Sequence, residues 1–226
     1  MQSTALNAGN KSYTSNNYLA SLERVFRDYN IRGVKPLPGI ASNTYHISYE
    51  IIDPRPMVSI IIPTRNGLDL SRKCYESILK HEAVYPDFEI IIIDNQSDDP
   101  KAIKWFREIE HHTKTKVAEY NHEFNYSAIN NYAAKLSRGK ILVLLNNDTE
   151  VISDNWLELL VSHACKQDVG CVGAMLFYDD DTIQHAGAIL GIGGVAGHSH
   201  KYFERSSFGY HSRLCLTQQV SAVTAA

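Results

Sequence analysis

Three apolar runs constrain the fold more than any other part of the chain: "MVSIIIP" at 57–63, "FEIIIID" at 88–94 and "KILVLL" at 140–145. None alternates polar with apolar residues, so each reads as a strand covered on both faces, the pattern of a parallel sheet. The segments between them carry helical periodicity. "GLDLSRKCYESILKH" places Leu70, Cys74 and Ile78, with Tyr75 and Leu79, on one stripe. "SDDPKAIKWFREIEHH" offers Asp98 or Asp99 as N-cap, Pro100 near the first helical position, and Ile103, Phe106 and Ile109 as the buried face. A third helix, about Tyr126 to Ser137, is expected to stop at Gly139 as C-cap. "KILVLL" then reads as a buried central strand, followed by a helix from about Asp154 to Cys165 and by "VGCVGAML". The alternation predicts an α/β doubly wound domain, a mostly parallel sheet flanked by helices with right-handed crossovers.

In such sheets ligands bind beyond the carboxyl ends of the strands. The three best strands end in "PTRNG", "DNQSDD" and "NNDTE", polar clusters that packing does not explain together. Asp94 and Asn95 close one strand, where a carboxylate can accept from a nucleobase N–H or a ribose hydroxyl. Pro63, Thr64 and Arg65 add backbone amides, a hydroxyl and a guanidinium suited to ribose or phosphate. Asn147 and Asp148 bring an amide and one carboxylate, which suits Mg2+ or Mn2+ sharing its shell with phosphate and water. Base, phosphate and metal sites together describe a nucleoside diphosphate. No G-x-x-x-x-G-K-[ST] loop occurs, and no G-x-G-x-x-G follows the first strand. The later "GAILGIGGVAG" opens no helix and reads as a flexible loop or strand pair.

The formal net charge of -3 gives no basic field for nucleic acid. Cys74, Cys165, Cys171 and Cys215 share no C-x-x-C spacing and are expected as reduced, buried thiols. No apolar run approaches the length of a bilayer span and "MQSTALNAGNKSYTSNN" has no apolar signal core. A cytoplasmic soluble chain is expected, and peripheral docking at the inner face of the membrane is compatible with the same composition. The first 16 residues are expected to be mobile, followed by a helix carrying Leu19, Leu22, Val25 and Phe26, a strand in "TYHISYEII", and a stiff connector at Pro54 and Pro56. Residues 1–56 are thus expected as an appendage to a core of residues 57–226.

"VSIIIPTRNG", "EIIIIDNQSDD", "FNYSAINNYAAKLSRGKILVLLNNDTEV" and "DDTIQHAGAILGIGGVAGHSH", in this order, resemble the family two glycosyltransferases of the GT-A fold, and most closely the bacterial rhamnosyltransferase-like branch. The resemblance covers about residues 57–226. It implies inverting transfer of a sugar, hexosyl or rhamnosyl, from a UDP- or dTDP-sugar to a hydroxyl of a saccharide or lipid-linked saccharide in cell-surface polysaccharide synthesis. Residue by residue, it places Pro63, Thr64 and Arg65 in the first donor loop and gives Asp94 the base. Asn131 takes the Asn of an Arg-Asn pair whose Arg is Asn130 here, and "NND" takes the metal motif. Asn146 stands where the motif's first acid is found, so Asp148 is the metal candidate. The resemblance also implies a general base, an Asp or Glu, downstream of the strand resembling "SAVTAA", so the chain is expected to be C-terminally incomplete at Ala226.

His185 falls in the Gln-His-Ala-Gly stretch and is a candidate for the donor or acceptor pocket. His198 and His200 would share a strand face, but spacing fixes no third ligand, and metal binding is not their expected role. Trp105 and Trp156 read as core or half-buried packing. Two other readings fit parts of the pattern. A sugar-nucleotide nucleotidyltransferase has a related sheet but needs a glycine-rich first loop that "PTRNGLDLSRK" lacks, and a non-catalytic nucleotide-sugar-binding module needs no base.

Overall fold

The computed structural model describes residues 12–51 and 53–224. They fall into two compact units, residues 12–51 with 165–224, and residues 53–164. The segment expected as an appendage therefore shares a unit with residues 165–224, which the sequence reading assigned to the core. Among the described residues no helix is long and apolar enough to cross a membrane.

In the first unit, α1 (Ser12–Asp28) turns Leu19, Leu22 and Phe26 half inward while Val25 stays exposed. Residues 1–11 of the expected mobile start lie outside the described residues, and Ser12–Asn16 open this helix. β1 (Val34–Pro38) and β2 (Tyr45–Tyr49) form an antiparallel hairpin. Further along, β7 (Leu176–Phe177) pairs with β8 (Ile183–His185), and β9 (Ala188–Leu190) with β10 (Ala196–His198). The last pair is the "GAILGIGGVAG" segment, a strand pair as expected. "VGCVGAML", where the strand and helix alternation would continue with a strand, contributes only Leu176 to β7. At Gly173 the chain runs close to Val223, where an added Cβ would lie 2.6 Å from its side chain.

The second unit contains β3 (Val58–Thr64), α2 (Leu68–Lys80), β4 (Phe88–Asp94), α3 (Pro100–Ile109), β5 (Thr115–Glu119), α4 (Tyr126–Leu136), β6 (Ile141–Leu144) and α5 (Trp156–Ala164). Its four parallel strands run in the order β5-β4-β3-β6. Successive side chains alternate faces. Ile61, Ile91 and Ile93 pack with Ile129 and Ala133 of α4. The alternate set, Ile60, Ile62, Ile90 and Ile92, is no more than 1% exposed, so the opposite face is covered as well. Burial of each such side chain is worth about 1.5–3 kcal/mol. Trp105 is buried on α3 against Tyr75 of α2, while Leu70, expected on the α2 stripe, is 51% exposed.

Three differences from expectation have physical causes visible in the structure. Among the described residues β6 is an edge strand bonded only to β3, and one of its faces is incompletely covered, with Leu142 42% exposed, where a buried central strand was expected. β5, "TKVAE", has too few apolar residues to stand out in the sequence and was not anticipated. Gly139 is not a helix cap: α4 ends on Ser137 in an extended conformation. Its lack of a side chain is needed because a Cβ there would lie 2.5 Å from the backbone nitrogen of Ser59.

That close approach belongs to a buried polar cluster at the amino end of the sheet. Glu89 on β4 accepts from the Ser59 hydroxyl on β3 at 2.6 Å and from the Arg138 amide at 2.7 Å. Its second oxygen accepts from Arg138 Nε at 2.8 Å, and Gly139 N donates to Ser59 Oγ at 2.9 Å. Burial alone would raise the Glu89 carboxyl, but the Ser59 and Arg138 hydrogen bonds and the Arg138 charge outweigh it and hold the group below its ordinary value. The Arg138 side chain is 68% exposed, so the ion pair itself adds little, and the buried hydroxyl and amide carry the cost of losing the acceptor.

Glu89→Ala is expected to lower the unfolding free energy by about 2–4 kcal/mol at neutral pH, read by urea titration. A depressed folded pKa gives stability that is present above the ordinary carboxylate range and lost as pH falls through the folded value. The variant should therefore lose less stability than the parent on acidification.

Candidate functional site

Strand register determines what meets at the carboxyl end of the sheet. Thr64 pairs with Asp94, and Leu144 pairs with Ile61, so the chain three residues beyond Leu144 comes level with Thr64. That residue is Asn147. Its Nδ2 donates to Thr64 Oγ1 and to Ser71 Oγ, each at 3.1 Å, and the two hydroxyls lie 2.9 Å apart. This knot sits where the strand order reverses, between β3 and β6, the position at which open α/β sheets leave a crevice.

The loops after β3 and β4 are tied as closely. Asn66 Oδ1 accepts from the amides of Asp98 and Asp99, and its Nδ2 donates to Asp98 Oδ1. Asn66 N donates to Ser97 Oγ at 2.7 Å, and Ser97 N to Asp94 Oδ1 at 3.0 Å. Asp99 also caps α3 by accepting from Lys101 N, as one of the two caps expected from sequence. Asn66 and Gly67 are both left-handed, with φ of 55° and 51°. A Cβ on Gly67 would sit 3.1 Å from Asn147 Nδ2, so glycine serves both the turn and the knot.

The expected site residues divide into held and open groups. Thr64 is buried and its hydroxyl is engaged by Ser71 and Asn147, so it is an internal brace where a ligand-facing hydroxyl was expected. Asn147 is committed to the same brace. Asn95 is buried, with Nδ2 donating to the Tyr120 and His122 carbonyls, and it anchors the loop after β5 in place of the pocket position expected. Pro63 is half-buried at the strand end, while Arg65 and Asp148 are exposed with no hydrogen bond or ion pair among the described residues. Asp94 uses Oδ1 for Ser97 and is half-buried. Asn131 is exposed on α4, whereas its neighbour Asn130 is buried, with Nδ2 on the Tyr126 carbonyl. The braces Asn66, Ser71 and Ser97 were missed by the sequence reading. Only the register shows that these small polar residues face one another.

Beneath the Asp148 loop lies Cys74, whose Sγ donates to the Asn146 carbonyl at 3.6 Å. Burial, then the Asp148 charge, push its thiol up to about 12, while a hydrogen bond with the Thr149 backbone opposes them. All four cysteines are free, but only Cys74 is buried. Cys165 and Cys171 are exposed and Cys215 is intermediate, so the expectation of buried thiols holds for Cys74 alone.

In the other unit His185 is 1% exposed, with Nε2 accepting from Thr224 N at 3.3 Å and Nδ1 lacking a partner among the described residues. Burial, then the neighbouring His198, lower its pKa. His198 ends β10 and His200 lies in a turn at φ 55°, so they do not share the strand face expected of them. Among the described residues no three His, Cys, Asp or Glu side chains gather into a group that could hold a metal ion.

Residues 59–215 match the family described as glycosyl transferase family 2. Over 172 residues the chain is 48% identical to the uncharacterized protein y4gI of Sinorhizobium fredii, covering 76% of this chain and 19% of that one. It is 40% identical over 154 residues to the O-antigen biosynthesis protein RfbC of Myxococcus xanthus, covering 68% of this chain and 12% of that one. The chain thus spans less than a fifth of the length of either relative. A mannosyltransferase from Pyrobaculum calidifontis, solved with GDP-Man and Mn2+, is similar at 21% identity and a TM-score of 0.47, over 71% of this chain and 45% of that one.

Asn147→Ala removes the donor that bridges Thr64 and Ser71, and should cost about 1–2 kcal/mol in chemical denaturation. Gly67→Ala adds strain at a left-handed position beside the same amide, and about 1 kcal/mol is expected.

Proposed function

The chain belongs to glycosyl transferase family 2, and on that premise we propose that residues 53–164 bind a nucleoside diphosphate sugar at the carboxyl ends of β3, β4 and β6. The protein then transfers the sugar, with inversion, to a hydroxyl of a saccharide or lipid-linked saccharide in polysaccharide synthesis. One observation carries the reading. The internal braces use up Thr64, Asn66, Ser71 and Asn147, and leave Arg65 and Asp148 open on the loops that β3 and β6 deliver. Similarity to a protein named for O-antigen biosynthesis supports the polysaccharide setting. The same reading implies a cytoplasmic protein, and docking at the inner face of the membrane is compatible with it.

In the donor complex Asp94, oriented by the Ser97 amide, accepts from the base or ribose, and Arg65 reaches ribose or phosphate oxygens. The brace of Thr64, Ser71 and Asn147 keeps the loop after β6 in register, so that Asp148 faces the diphosphate. A divalent ion such as Mg2+ or Mn2+, held through Asp148, would supply charge neutralisation for the leaving diphosphate. Exposed Asp148 would offer such an ion one hard carboxylate ligand, a donor type that suits Mg2+ or Mn2+. No residue of the chain is assigned as the base.

Calorimetric titration of the folded chain with UDP- and dTDP-sugars, with and without Mn2+, tests the reading. Binding strengthened by the ion is expected. Asp94→Ala should weaken it about tenfold, and Asp148→Ala should abolish the gain from the ion. Absence of binding to every donor by a chain shown to be folded would sink the proposal, and an unchanged response to Mn2+ in Asp148→Ala would overturn the metal assignment.

A further inference from the structure

A second concavity, in the unit of residues 12–51 and 165–224, shares no residue with the donor loops. It measures about 470 Å³, within the range of small-ligand sites. Tyr45, Ile47 and Leu216 give it an aromatic and aliphatic lining, and Ser42, Asn43, His211 and Ser212 supply hydroxyl, amide and imidazole groups around it. Among the described residues, no Asp, Glu, Lys or Arg lines it. With one imidazole and no carboxylate or guanidinium, such a surface favours a neutral ligand that presents C–H faces to a ring and hydroxyls to polar groups.

Three of the nine non-glycine residues with positive φ among the described residues line this groove. Asn43, His211 and Ser212 all have positive φ, at 61°, 50° and 58°. Non-glycine residues held in this region cost free energy and gather at ligand clamps and other functional sites. His211 and Ser212 are consecutive, inside a short 3-10 element whose helical geometry they break. The Tyr45 hydroxyl is buried without a hydrogen-bond partner among the described residues, which leaves one hydrogen bond to be gained as the groove adjusts around a ligand.

We propose that this groove binds an uncharged saccharide unit, with the Tyr45 ring against a sugar face and Ser42, Asn43, His211 and Ser212 hydrogen-bonded to its hydroxyls. Choosing saccharide over another neutral polyhydroxylated ligand rests on the glycosyltransferase reading above. The groove itself does not depend on it.

Amide-resolved NMR titration of the full chain with glucose, galactose, rhamnose and a neutral trisaccharide, up to about 50 mM, tests the proposal in the weak range expected of an open groove. Shifts confined to residues 42–47 and 211–216 support it. The variants Asn43→Gly and Ser212→Gly remove a polar group and relieve the left-handed backbone, so they should fold. Each should weaken binding about tenfold. No shift with any of the sugars, shifts mapping elsewhere, or unchanged affinity in both variants would overturn the proposal. The outcome is separable from the fate of the donor site. Sugar shifts at the groove in a chain that binds no nucleotide sugar would support the groove and count against the transferase reading. Donor binding without groove shifts would do the reverse.

Discussion

The Glu89 carboxylate is the constraint on which the arrangement of the sheet depends. It joins β3 through Ser59, its own strand β4, and the turn that launches β6 through Arg138, while Ser59 holds Gly139 in contact with β3. A charged group in that position is tolerated only because its oxygens are met by well-directed donors. The connection between α4 and β6 can therefore enter in one register. Everything that β6 carries at its far end inherits that register, including the meeting of Asn147 with Thr64. A polar cluster at one end of the sheet sets the alignment of a polar cluster at the other.

The central strands were legible from sequence because isoleucine runs without alternation leave little choice but a sheet covered on both faces; "FEIIIID" became β4 residue for residue. α3 was legible through Asp99 and Pro100, which act locally and need no tertiary information. β5 was not, because an edge strand with exposed positions carries a weak apolar signal. The role of Gly139 was misread for a related reason. A glycine after a helix suggests a cap, but here the reason for glycine lies across space, in the backbone of Ser59. The β6 run was read as central from its hydrophobicity, which reports burial on its faces and says nothing about whether both edges are paired.

At the site, residue type was legible and function within the cluster was not. Thr64, Asn95 and Asn147 are polar residues at strand ends, like Arg65, Asp94 and Asp148, yet the first three hold the loops and the others are left with polar atoms to present. Sequence cannot make that division, because it depends on which side chains find an internal partner. The braces have a physical use: short amides and hydroxyls that satisfy one another cost little to bury and hold the loop backbones where longer charged side chains need them.

The Cys74 thiol shows how far this shielding extends. Sulfur is the softest and most reactive nucleophile in the chain when ionised, and it lies directly under the loop that bears Asp148. Burial and the Asp148 charge push its ionisation above the range in which cells live. It is thereby withdrawn from alkylation, disulfide exchange and capture of soft metal ions. The exposed Cys165 and Cys171 are left as the natural attachment points for a probe or cross-linker, and a reagent can modify the chain there without touching the floor of the loop.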